Sequence, residues 1–75
     1  MAICEHDRVV LTVDLPLERL TLGDVGTVIH VYDDGAAFEV EFVALDGETV
    51  AVVTLGASQV RPVSHREITH ARSVA

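Results

Sequence analysis

The sequence predicts an all-β domain of five short strands, and three observations lead there. Ala37-Phe38-Glu39-Val40-Glu41-Phe42 alternates apolar and acidic residues with the period of a half-buried strand. A β-branched run from Val25 to Tyr32 precedes it, and Asp33-Asp34-Gly35 separates the two as a hairpin turn does. The chain has 75 residues and is 49% apolar, which allows one folded domain with a small core.

Each element follows from local chemistry. Met1 to His6 is expected to be a frayed lead-in, residues 7–63 the domain, and residues 64–75 a polar tail or short helix. Asp7 to Asp14 alternates around Val9, Leu11 and Val13 and reads as the first strand. Leu15-Pro16 ends it, because proline cannot donate to a ladder. Leu17 to Leu22 forms a loop whose leucines are expected to fold over one end of the core. Gly23-Asp24 makes a turn. The second strand runs from Val25 to Tyr32, and Gly26 inside it signals a bulge or bend.

Gly35 supplies the positive φ of the first hairpin turn. The third strand, Ala37 to Val43, turns Phe38, Val40 and Phe42 to one face and Glu39 and Glu41 to the other. Leu45-Asp46-Gly47-Glu48 is a second hairpin turn built on Asp-Gly. Thr49 to Leu55 is apolar almost throughout and reads as a central strand covered on both sides. Gly56 to Gln59 forms a short helical turn, and Val60 to Val63 a last strand with Pro62 at an edge. The expected core is Val9, Leu11, Val13, Val28, Val40, Phe42, Val50, Val52 and Leu55. Five strands, a long loop after the first and a helical turn before the last give the order of a small, partly open SH3-like barrel.

Composition excludes several classes. The lone Cys4 cannot form an internal disulfide, so this is not a disulfide scaffold. No signal peptide and no membrane-length apolar run are visible, and a cytoplasmic location is expected. Twelve acidic residues outweigh five basic ones, for a net charge of −7. Phosphate backbones demand a cationic face, so nucleic acid is an unfavoured partner; the acidity favours a basic protein partner or serves solubility alone.

The run VVLTVDLP, followed by LTLGDVGTVIHVYDDGAAFEVEFVALDGETVAVVTLGASQVRPV, resembles a family of small bacterial proteins catalogued as domain of unknown function 4926. Leu15-Pro16, Gly23-Asp24-Val25-Gly26-Thr27-Val28, Tyr32, Glu39-Val40-Glu41-Phe42 and Gln59-Val60-Arg61-Pro62 carry the resemblance, which covers about Asp7 to Val63. The resemblance implies no chemistry. It implies a stand-alone gene beside another small gene, in an antitoxin or immunity-type pairing. The shorter Gly-Asp-x-Gly-x-Val piece is similar to the KOW motif of ribosomal and elongation proteins, and reports a turn and a bulge.

No residue set predicts catalysis. Glu39 and Glu41 lie about 7 Å apart on one strand face, as binary patterning alone produces. His6, His30, His65 and His70 match no zinc spacing, so no metal or other cofactor is expected. Cys4 has no base beside it. Asp14, Glu18 and Asp24 flank the long loop, but a groove for proline-rich peptides needs aromatics that this chain lacks. Gly23 and Gly26 precede no Gly-Lys-Ser/Thr and are not a phosphate loop. Arg61, Arg66 and Arg72 gather positive charge near the C-terminus, where the tail is expected either to dock on a partner and order there or to stay unstructured.

The expectation is therefore a non-enzymatic, acidic protein-binding module. Asp33, Asp34, Glu39, Glu41 and Glu48 supply charge toward a basic partner, and Arg66 and Arg72 add tail contacts. The alternatives are a KOW-like nucleic-acid or ribosome-associated module and an accessory subunit of a larger enzyme. Exposed strand edges also allow a homodimer.

Overall fold

A computed structural model describes residues 2–74; Met1 and Ala75, in the expected lead-in and tail, lie outside them. Five strands form one antiparallel sheet: β1 (Arg8–Leu11), β2 (Val25–Tyr32), β3 (Ala37–Val43), β4 (Thr49–Gly56) and β5 (Val60–Pro62). The spatial order is β4-β3-β2-β1-β5, with β4 and β5 unpaired to each other, so the sheet is a partly open barrel. The all-β expectation holds, and β2 and β3 have the limits that turn chemistry and alternation predict.

The core follows the strand period. Phe38, Val40 and Phe42 of β3 are buried beside Val28 of β2, Leu55 of β4, Val9 and Leu11 of β1, and Val60 of β5. The largest fully buried side chains are Leu11, Leu55, Val9, Val28 and Val40, each worth roughly 1.5–3 kcal/mol in removed apolar surface. Phe38 and Val60 belong to this core although they are absent from the expected set. Val13 is not part of it, because β1 ends at Leu11.

Val52 is a second correction. β4 is an edge strand, not a doubly covered central one. The register sets Val40 opposite Val53 and Glu41 opposite Val52. Val52 therefore shares the outer face with Glu41 and is 46% exposed. A continuous apolar run does not reveal which of its residues face out; the partner strand decides.

Gly26 is not the bulge. The register of β2 on β3 shifts between Val28 and His30, which leaves Ile29 as the extra residue. That one-residue slip turns Val31 inward and His30 outward, where simple alternation from Val28 reverses them. Gly26 instead permits close packing: a Cβ there would lie 2.6 Å from Val40 Cγ1 and 2.8 Å from Phe42 Cε2.

The long loop contributes less than expected. Leu20 is buried and bridges back to Leu15, but Leu17 is 97% exposed and Leu22 60%. A tight helical turn at Pro16–Glu18, closed by Arg19 at φ 60°, points Leu17 outward. The lead-in is held rather than frayed. The His6 N–H donates to the Val28 carbonyl at 2.7 Å, Asp7 accepts from the Cys4 N–H at 2.9 Å, and Ile3 packs against the core. Residues 64–74 contain no helix and lie along the barrel.

Candidate functional site

The outer face of the β2–β3–β4 meander carries the expected carboxylates. Alternation projects Glu39 and Glu41 outward from β3, opposite the face that buries Phe38, Val40 and Phe42. His30 pairs with Glu39 across β2, and Thr54 pairs with Glu39 across β4. Glu39 Oε1 accepts hydrogen bonds from Thr54 Oγ1 at 2.5 Å and from Tyr32 Oη at 3.4 Å. Glu41 Oε2 accepts from Thr49 Oγ1 at 2.8 Å. The cross-strand hydroxyls fix both carboxylates in direction without neutralising them.

Tyr32 sits beside this row. Its ring meets that of His30 edge to face at 4.5 Å, and His30 Nδ1 lies 3.5 Å from Glu5 Oε2. Loss of hydration raises the Tyr32 hydroxyl pKa above 10, and the charge and hydrogen bond of Glu39 add to that rise. Tyr32, Ile29 and Val52 are exposed on or next to the same face. The surface thus mixes carboxylates with an aromatic ring and aliphatic groups.

The other acidic residues stand at the two ends of β3. Asp33 and Asp34 form the β2–β3 turn with φ of 49° and 56°, followed by Gly35 at 104°. Aspartate tolerates this left-handed backbone better than most residues, so both have a conformational role as well as a charge. Glu48 lies beyond the other end of β3, in a turn where its N–H donates to Asp46 Oδ1 at 2.9 Å. About 20 Å of strand separates the two turns. The carboxylates therefore form a line along β3, not a cluster. Among the described residues, no group of three His, Cys, Asp or Glu is placed to hold a metal ion.

The arginines divide. Arg66 is exposed and, among the described residues, makes no ion pair. Arg72 is committed within the chain. Its Nε and Nη2 donate to Asp24 Oδ1 and Oδ2 at 2.8 and 2.5 Å, and Nη2 also donates to the Arg19 carbonyl at 3.1 Å. Partial burial opposes ionisation of Asp24, but the hydrogen bonds from Arg72 and the Thr21 N–H, with the Arg72 charge, hold its pKa below the usual value. Arg61 grips Glu67 through both nitrogens at 2.8 and 2.6 Å. These two clamps hold the tail beside an open cleft of about 700 Å³ lined by Leu20, Val25, Phe42 and Val50. The Arg72–Asp24 clamp joins residues 48 positions apart, the Arg61–Glu67 clamp residues six apart, and no periodicity announces either.

The family model described as domain of unknown function (DUF4926) matches residues 5–62. The chain belongs to the DUF4926 family. Comparison with curated proteins finds no match, and comparison with solved structures finds none. The DUF4926 region takes in all five strands and ends at Pro62, the last residue of β5. Glu67 and Arg72, which clamp the tail, lie beyond it. Among the described residues, no helix is long and apolar enough to cross a membrane.

Proposed function

We propose that this DUF4926 protein is a non-catalytic binding module that occludes a basic protein partner in stoichiometric complex, as the acidic antitoxin or immunity-like member of a two-gene pair in the bacterial cytoplasm. One observation carries the proposal. Glu39 and Glu41 are oriented by Thr54 and Thr49 on a sheet face that also exposes Tyr32 and Val52. Carboxylates that steer a cationic surface, beside an exposed aromatic ring and aliphatic groups, suit the docking of a basic protein. Asp33, Asp34 and Glu48 extend the negative field along β3, and Arg66 offers a free tail contact. The net charge of −7 supports the sign of the partner.

The Gly23-Asp24 turn offers the KOW-like alternative no ligand group, since the Asp24 carboxylate is bound by Arg72. The test is capture of the partner from the source organism with and without nuclease, followed by reconstitution from purified components. An equimolar complex with a basic protein, weakened by salt and by Glu39→Lys with Glu41→Lys, is the expected result. A complex indifferent to both removes the acidic face from the account, and nuclease-sensitive recovery of RNA replaces the reading with the KOW-like one.

A further inference from the structure

The two edges of the sheet are built differently. β5 is three residues long and contains Arg61 and Pro62. Short length, charge and proline are the devices that keep an edge from pairing with another chain. β4 has none of them. It is eight residues long, Thr49–Gly56, with no charged residue and no proline, and among the described residues it pairs only with β3. Its one irregularity lies next to Val50, near its start. In an antiparallel ladder, alternate N–H and C=O groups of such a strand point away from its single partner.

We propose that β4 is a self-association edge, which pairs antiparallel with β4 of a second copy to make one continuous sheet. The sequence of β4 suits a partner like itself. The edge is neutral throughout, so it offers a charged foreign strand no complementary group. Thr49, Val50, Val52, Val53 and Thr54 are β-branched and match a pleated neighbour of the same composition. A two-fold axis normal to the sheet keeps outer face with outer face, so only residues of like parity meet. With Val52 opposite the same residue of the second copy, Ala51 meets Val53 on the core-facing side. No like charges face each other across the seam. Val52, 46% exposed in the single chain, becomes the centre of the contact.

Salt separates this association from the proposed basic-partner complex. Each copy carries −7, so long-range repulsion opposes the dimer and screening relieves it. A strand-to-strand seam belongs to the small interface class, so the dimer is weak. Sedimentation equilibrium of the full chain, up to millimolar concentration and at low and high salt, tests it. The expected result is a monomer–dimer equilibrium that tightens with salt and weakens about tenfold or more in Val52→Lys, where two lysines meet at the axis. Amide exchange in the unmodified chain gives an independent reading, with β4 amides slowing as concentration rises. A chain monomeric at every concentration, a dimer unaffected by Val52→Lys in a folded variant, or concentration-independent exchange in β4 overturns the proposal.

Discussion

Arg72 and Asp24, separated by 48 positions, meet in a two-point ion pair at 2.8 and 2.5 Å. This pair, with the Arg19 carbonyl as third acceptor, ties a segment outside the family region to the turn that opens β2. Asp24→Asn removes the charge and keeps the shape. Residues 69–74 are expected to loosen in that variant, with backbone order parameters falling below about 0.6, while β1 to β5 keep theirs. NMR relaxation measures both; unchanged order in the tail refutes the clamp.

Acid sensitivity follows from the second clamp. The Arg61 hydrogen bonds, with one from the Ser64 N–H, draw the Glu67 pKa from 4.5 down to about 2. The Asp24 pKa is lowered as well. A depressed carboxylate adds stability that is fully present above its unfolded value and is lost as pH falls toward its folded value. The melting temperature is therefore expected to decline from about pH 4.5 toward pH 2, and Glu67→Gln to flatten that decline. Thermal melts across the acid range check the sign.

Tyr32 reports on Glu39. It is the single tyrosine, so its ionisation is read directly by ultraviolet titration. Its raised pKa comes first from lost hydration and then from the charge and hydrogen bond of Glu39. Glu39→Gln removes the charge, and the Tyr32 pKa is expected to move down toward 10. A static titration curve places the Glu39 carboxylate elsewhere.

Parity along β4 predicts a contrast in stability. Leu55 is 1% exposed and faces the core, so Leu55→Ala is expected to cost about 2–5 kcal/mol. Val52 faces outward, and Val52→Ala is expected to stay within about 0.5 kcal/mol. Denaturant unfolding at a low fixed protein concentration measures both. Equal costs contradict the register of β4 on β3.

Gly26 gives the complementary case. A Cβ at 2.6 Å from Val40 Cγ1 and 2.8 Å from Phe42 Cε2 cannot be accommodated without moving buried side chains. Gly26→Ala is expected to destabilise by about 1–3 kcal/mol, through overpacking rather than backbone strain. The same denaturant measurement decides it.

Strands and turns were legible where the signal is local. The alternation of Glu39 and Glu41 with Val40 and Phe42 sets the faces of β3, and Gly35 and Gly47 mark turns that take positive φ. The position of β4 was not legible, because a run such as Val50 to Val53 looks alike at the centre of a sheet and at its edge. Ile29 hides its bulge, since a β-branched residue fits the strand either way and only the β3 register exposes the slip. The carboxylate row on β3 could be read from its period. Arg72 on Asp24 could not, because no spacing rule links residues in a turn and a distant tail.

The pairing of β1 with β5 sets Val9 beside Pro62. The start of the first strand and the end of the last thus lie side by side, and where the chain is opened is one choice among several. A linker from the end of β5 to the start of β1, with a new opening at the exposed Leu45-Asp46-Gly47 turn, preserves every strand pair. Such a permuted chain makes β4 the first strand and β3 the last.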